Sequence, residues 1–560
     1  MATNIFNILN TAQEGLRSQL LAMEVTGHNI SNVQTEGYSR QEVSFKATIP
    51  RYTETGRIGT GVKVGGIERA HDAFLHLQII GESAELGESR VKKEVYDQIE
   101  ILLSETSGRS VNKSLSNFFS GIQDVASNPT SPAERSTLLA EGQELVSTFN
   151  NLGESLFQIQ QNLNAAVSVD IGKVNSFIKE IAQLNEVIHA NEPTTFQAND
   201  YRDERDLKVK KLNEIIDLNY IDENDGQISL TRTDGTPLVL KSTAFTLITS
   251  PNGNNKSFHD IIVQGPEGNN TNITSTINGG TLKGYLEMRD KIVEEVKDKL
   301  DRLAAGFVKE FNEIHQQGFG IDGSTGNNFF KALKTTVLTN VNNTGSAKLI
   351  ATNGDPSNIS IDKYEITISG TNSFTLKNLT TGSSSGTFTF QQGSSFNLAN
   401  GYAVAISGTP AVGDTFQLSA SENAARNMSI GSGVLSNANK ISAGLNTKKD
   451  GGNALNLIKL QSQLVFDSVT LDSAGSGTFT FDEFYNSLVS TLGVQAWASQ
   501  SSLKQQEGIL RQLNIRRESI SGVSIDEEMI NMIKFQQAYN AAARLIAMVD
   551  ELLDNMIHQV

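Results

Sequence analysis

Residues 524–560 read SIDEEMINMIKFQQAYNAAARLIAMVDELLDNMIHQV, with neither proline nor glycine. Met532, Phe535, Tyr539, Ala542, Ile546, Val549, Leu553 and Met556 recur at alternating three- and four-residue steps. That spacing is the apolar seam of a coiled coil. Ser524 with Glu527 three residues on forms a capping box, and Asp526, Glu527 and Glu528 place negative charge in the first turn, where the helix dipole favours it. Ile525, Met529, Ile533, Leu545 and Leu552 widen the stripe beyond what one partner helix covers. Such a helix needs more than one neighbour.

The first neighbour is expected at the other end of the chain. Ile5, Leu9, Ala12, Leu16, Met23 and Ile30 keep the same spacing, with polar Gln19 and Thr26 in two seam positions. A helix from about Asn4 to Thr26 would be ~35 Å long. Two amphipathic ends, each too exposed to be stable alone, imply one terminal coiled coil made from both. The plain alternative is the edge of an ordinary helical bundle.

Between the ends the hydrophobic period changes twice. After turn-rich residues 27–41, short strands are expected at 41–47 and 60–67. Helical patterns then run from Ala70 to about Glu192, with a firm start at Ser131-Pro132-Ala133-Glu134, a capping box with proline at the first helical position. The proline-free stretch behind it would reach ~90 Å as one helix, unless Gly153 or Gly172 marks a kink. Another charged helix spans 200–217; strands separated by Asp-Gly turns follow, and helix returns from Leu282 to about His315. Residues 318–418 are rich in Gly, Ser, Thr and Asn with alternating apolar positions. Several Asn tripeptides there fit a glycosylation acceptor, as such a composition produces by chance.

The fold class is therefore multidomain α plus β with nested domains: terminal helices paired in a coiled coil, an elongated helical-bundle domain, and β-rich inserted outer domains. Residues 1–35 and 520–560 make the coiled coil; 36–218, 282–318 and 445–519 the helical domain. Residues 219–281 and 419–444 make a β-rich domain, and 319–418 an inserted outer one.

Composition removes several functional classes. The balance of 46 basic and 62 acidic residues, −16 in all, argues against nucleic-acid binding, which wants a basic stripe. Zero cysteines exclude disulfides, thiol catalysis and thiolate metal sites. The first residues lack the pattern of a cleaved secretory signal, and no apolar run is long enough to insert in a membrane. The seven histidines are scattered, with no His-Glu-x-x-His, and are expected to be solvated or capping. No nucleophile elbow or phosphate-cradling loop occurs. Trp497, the single tryptophan, is expected as a core anchor. No enzymatic activity, cofactor or metal is expected.

Residues 25–41, VTGHNISNVQTEGYSRQ, closely resemble the signature of the flagellar hook-associated protein 1 family, within the wider group of flagellar rod, hook and hook-associated axial proteins. The residues that carry it are Asn29, Asn32, Gly37, Tyr38, Ser39, Arg40 and Gln41; Gln34 departs from the usual Asn. Lys534-Phe-Gln-Gln-Ala-Tyr539, Ala541-Ala-Ala-Arg544, Gly59-Thr-Gly-Val-Lys-Val64 and Gly413-Asp-Thr-Phe-Gln-Leu418 are also similar to family patterns. The match is specific over about the first 75 and last 45 residues and weak across 320–420. The resemblance implies a structural protein of the junction between flagellar hook and filament, exported unfolded by the flagellar type III apparatus and assembled as a homo-oligomeric ring. Implied partners are the flagellar hook protein, hook-associated protein 3, and a cytoplasmic export chaperone on the C-terminal segment. Terminal segments largely disordered before assembly would fold at the growing tip. Alternatives are a distal rod or hook subunit, or an adhesin carried on a flagellar scaffold by its 320–420 insert.

Overall fold

The computed structural model describes residues 2–53, 56–104, 110–192, 197–265, 268–354, 359–398, 400–467 and 477–558. α1 (Ala2–Ser31) carries the N-terminal seam and is longer at both ends than its expected span. A ribbon follows: β1 (Gln41–Ala47), β2 (Arg51–Thr53), β3 (Gly56–Ile58) and β4 (Val62–Arg69), with β1 paired antiparallel to β4 and β2 to β3.

The rod begins with α2 (Ala73–Leu103), capped by the Asp72 carboxylate, and α3 (Val111–Ser127). α4 (Pro132–Asn191) is one uninterrupted helix of 60 residues, started by Ser131 whose Oγ accepts from the Glu134 amide. Neither Gly153 nor Gly172 breaks it. Gly153 serves close approach instead: a Cβ there would lie 2.9 Å from the Arg426 backbone nitrogen. α5 (Asn199–Ile215) folds back along α4.

Next come β5 (Asn219–Asp222), β6 (Ile228–Thr231), β7 (Pro237–Leu240) and β8 (Thr243–Ala244), one four-stranded sheet. β9 (Thr246–Asn252), β10 (Phe258–Gln264) and β11 (Asn270–Asn272) form another of three. Their apolar faces close over the C-terminal half of α4 and over α5, in a core that includes Val174, Ile178, Ile181, Val209, Leu230, Val239 and Ile261. α6 (Gly280–Glu287) runs through one π-helical turn, Met288–Ile292, into α7 (Val293–Gln316).

The outer part alternates buried and exposed side chains along its strands, as in Tyr364, Ile366 and Ile368 facing inward. β12 (Thr336–Thr339), β13 (Lys348–Asn353), β14 (Tyr364–Gly370), β15 (Ser373–Asn378), β16 (Ser384–Thr389), β17 (Ser395–Asn397), β18 (Tyr402–Ser407) and β19 (Thr415–Ser419) form two sheets. Their orders are β12-β19-β14-β15-β16 and β13-β18-β17, around a core containing Phe374, Tyr402, Val404 and Phe416.

Residues 419–444, expected in a β-rich domain, belong to the rod. α8 (Ala424–Asn427) and α9 (Ser432–Ser436) are short helices, and Ala425, Met428, Val434 and Ile441 are buried with the rod's helices. Asp301 accepts from the Asn423 and Ala425 amides, and the buried Arg135 donates to the Ile441 carbonyl at 2.6 Å. Residues 319–335, assigned to the outer insert, likewise lie partly in the rod. Phe329 and Phe330 join Phe118, Phe307 and Phe311 in one aromatic cluster. Short Gly- and Ser-rich segments pinned by buried polar groups have no period to read, so composition misassigned them.

α10 (Gly452–Lys459), α11 (Phe481–Ser521) and α12 (Ile525–His558) complete the chain. α11 runs antiparallel to α2, with Tyr485 donating to the Leu103 carbonyl and Leu510 against Leu75 and Ile79. Two expectations fail on this body. Trp497 points outward from α11 and is 72% exposed, because Leu492, Ala496 and Ser499 take the inward positions. His315 is fully buried: its Nδ1 lies 2.7 Å from the Asn327 carbonyl and its Nε2 accepts from the Ser442 amide at 2.9 Å. Among the described residues no helix is long and apolar enough to cross a membrane.

One lysine of the outer part, Lys363, reaches the rod, where Lys297 of α7 and Lys256 of the β9–β10 turn meet the same acidic group. Lys363 Nζ lies 2.6 Å from Asp298 and 3.1 Å from Glu422; Lys297 reaches Asp301 and Glu422, and Lys256 pairs with Glu294 and Glu422. Glu294, Asp298 and Glu422 have the proximity of metal ligands. The Lys363 ammonium already sits among them. Burial opposes charge on Glu422, but Lys297, Lys363 and Lys256 outweigh it and hold the carboxyl below its usual range.

Candidate assembly site

α1 and α12 lie antiparallel, the end of one against the start of the other, and the polar loop that leaves α1 knots both to the rod. Asn29 is the centre of the knot. It is 1% exposed, and its amide makes four hydrogen bonds, the full capacity of that group. Nδ2 donates to the Gln41 carbonyl and to Glu528 Oε2, each at 2.9 Å. Oδ1 accepts from the Gln41 amide at 2.9 Å and from the Tyr38 hydroxyl at 2.8 Å. One side chain thus joins α1, β1 and α12. An aspartate could not donate and would face the Glu528 carboxylate.

The other motif residues bind outward from this centre. Asn32 closes α1: its Nδ2 donates to the His28 carbonyl and its Oδ1 accepts from Thr35. Gly37 turns the loop at φ +85°, and its missing Cβ leaves room for the Leu207 side chain. Tyr38 lies edge-on to His28, 3.0 Å from its Nδ1. Burial, with Asp200, Asp203 and Glu528 nearby, raises the Tyr38 hydroxyl well above its ordinary range. It stays protonated and donates.

Ser39 donates twice to Asp203, from its amide at 2.7 Å and its hydroxyl at 2.9 Å. Arg69 Nη1 bridges Asp203 at 2.9 Å and Asp206 at 2.8 Å. Burial leaves the Asp203 carboxyl above its ordinary value despite Arg69 and Ser39. Asp206 is buried too, but Arg69, His76 and Arg205 together take it below. The Arg40 amide donates to the Ser521 carbonyl, and its guanidinium pairs with Glu42 and Glu527. Gln41 donates to Asp200 while its Oε1 accepts from Asn199. These seven residues therefore tie the terminal pair to α5, β4 and the end of α11. The partners Asp203, Asp206, Arg69 and Glu528 were invisible in the sequence, because each is an ordinary charged residue far from the motif.

Above the knot the seam closes only in part. Ala12 and Val549 are buried; Ile5, Leu9, Leu16, Met23, Met532, Phe535, Tyr539, Ala542, Ile546 and Leu553 are half-buried. Phe535 packs at 6.4 Å against Phe45 of the ribbon. The Met556 side chain lies outside the described residues. Phe6, Ile8 and Leu20 on α1 and Ile525, Met529, Ile533, Leu545, Met548 and Leu552 on α12 stay exposed. A surface of this kind on one helix pair marks an interface. Each such side chain offers on the order of 1 kcal/mol if its remaining surface is covered.

Comparison with known proteins agrees with this anatomy. Residues 96–330 match the family model "Flagellar hook-associated protein FlgK helical domain". The ends match models shared with rod proteins, "Flagella basal body rod protein" over 9–38 and "Flagellar basal body rod FlgEFG protein C-terminal" over 517–558. Flagellar hook-associated protein 1 of Escherichia coli is 29% identical over 99% of both chains. The Bacillus subtilis protein of that name is 28% identical over 99% of this chain and 98% of its own. The solved structure of the flagellar hook junction protein FlgK from Burkholderia pseudomallei shares the fold, with a TM-score of 0.68 over 79% of this chain and 100% of its own at 20% identity. Full-length similarity, a helical-domain match through the rod and a motif that forms one buried knot point the same way: over its whole length the chain is similar to the flagellar hook-associated protein 1 family.

Proposed function

We propose that the protein is a structural axial component of the bacterial flagellum, forming the junction between hook and filament, and that filament assembly and motility require it. The observation that carries this reading is the open apolar face along α1 and α12, on a helix pair tied to the rod through Asn29 and its neighbours. Only further copies or axial neighbours of the same build cover such a face. A homo-oligomeric ring supplies the lateral neighbours; the hook protein and hook-associated protein 3 supply the axial ones. The site of action is extracellular. Before export, a cytoplasmic chaperone on the C-terminal segment keeps the same face from aggregating. Nothing in the site performs chemistry: its buried carboxylates are each engaged in holding the knot.

Removing 524–560 tests the reading. The truncated chain is expected to keep a folded rod, seen as an unchanged main thermal transition. Cells that make it in place of the full chain are expected to show hooks without filaments by electron microscopy. Normal filaments in those cells would refute the assembly role.

A further inference from the structure

The ribbon β1–β4 runs against the chain's overall charge. Residues 46–63 carry Lys46, Arg51, Arg57 and Lys63 against Glu54 alone, 4 − 1 = +3 on a chain of −16. Lys46 and Lys63 stand directly opposite each other in the β1–β4 ladder. Like charges in that position repel and weaken an isolated ribbon. Among the described residues neither lysine has an acidic partner. The same ribbon shows Ile49 at 88%, Tyr52 at 72% and Ile58 at 56% exposure, with the Arg57 guanidinium 4.5 Å over the Tyr52 ring. These two lysines beside bare apolar side chains fit an acidic, apolar partner.

That partner surface exists on α12, at the same height. Thr11 donates to the Thr60 carbonyl at 3.1 Å, so the ribbon reaches the level of Thr11 on α1. Asn29 and Glu528 touch at 2.9 Å and set the antiparallel register. Eighteen residues along each helix from that contact, about 27 Å, bring Ile546 level with Thr11. Around Ile546 the outer face of α12 shows Leu545, Met548 and Leu552, together with exposed Asp550 and Glu551. Both patches stay exposed within one chain, so they do not cover each other. Two different, complementary patches at one level make a heterologous contact, which repeats from copy to copy and closes into a ring.

We propose that the ribbon of one copy, through its described residues 46–52 and 56–63, clasps the 545–552 face of α12 of the next copy, with Lys46 and Lys63 meeting Asp550 and Glu551. This rests on the assembly role proposed above and names the lateral contact within it.

The test uses the full chain in cells lacking their own copy of it. Because the chain has no cysteine, Ile49→Cys on one copy and Leu552→Cys on another, made together, report the contact alone. Cross-linked dimers in isolated hook–filament junctions support it. Normal filaments without such dimers overturn it and leave the assembly role standing. In the second arm, Lys46→Glu/Lys63→Glu and Asp550→Lys/Glu551→Lys are each expected to lower the fraction of filament-bearing cells at least about tenfold, and their combination to return it to within about twofold. A combination no better than either alone overturns the clasp. Failure of the unaltered chain to restore filaments would instead count against the assembly role itself.

Discussion

The rod and the terminal pair are both helical, yet they are finished to different degrees. In the rod, Phe118, Phe307, Phe311, Phe329 and Phe330 meet within about a ring's width of one another and none is more than 1% exposed. Asn312 secures the cluster, donating to the Phe330 carbonyl and accepting from its amide. Along α1 and α12 almost every seam residue keeps part of its surface in water. The aromatic core of the rod is fully buried within one chain, whereas the seam of the ends is not. The knot between them is polar, so directional hydrogen bonds rather than apolar burial fix how the two meet.

Cutting into the aromatic cluster tests the first half of that contrast most severely. Phe329→Ala is expected to destabilise the rod by about 3–5 kcal/mol, seen in denaturant unfolding of the isolated chain. A loss under about 1 kcal/mol would mean that the rod, too, depends on neighbours.

Acid acts on the rod through His315. Burial first, and Arg135 with it, lowers its pKa from 6.5 to about 4, although the Asn327 carbonyl opposes the shift. The neutral ring donates from Nδ1 and accepts at Nε2, so protonation breaks the Ser442 bond. The unfolded chain then binds the proton more readily than the folded one. The stabilisation is complete above pH 6.5 and is lost as pH falls from 6.5 towards about 4, by up to about 3 kcal/mol. His315→Gln should start less stable and show a flatter profile across that window in thermal melts.

A smaller and more local effect is expected at the knot. Asn29→Asp removes two donations and sets a carboxylate beside Glu528, at a cost of about 1–3 kcal/mol to the docking of the two ends. Amide exchange should quicken in residues 525–533 while the rod's main transition holds. If the rod transition fell as well, the separation of base and body would be wrong. Smallest of all, Trp497→Ser should change rod stability by no more than about 0.5 kcal/mol, since the indole covers little.

What the sequence disclosed follows the same division. Period carried the terminal seams, the long α4 and the strands of the outer sheets, because a repeating apolar face needs nothing distant to be recognised. The motif from Asn29 to Gln41 was recognisable, but its meaning was not. Asn29 meets Glu528 across 499 residues, and Ser39 meets Asp203 across 164. Residues 419–444 looked like loop or strand because their order comes from Asp301 and Arg135 elsewhere in the chain. Trp497 was misjudged from residue type alone; its neighbours on α11 had already filled the inward face.

The outer sheets leave and rejoin the rod through β12 and β19, where Thr336 stands directly opposite Ser419. Two crossings a single strand spacing apart can be bridged by a tight turn, so the parts of 337–418 away from Ile361, Asp362 and Lys363, which pack and pair with the rod, can be exchanged or shortened while the shaft beneath keeps its shape. Descendants of such a chain are free to remodel the face shown to the outside world without renegotiating how they stack.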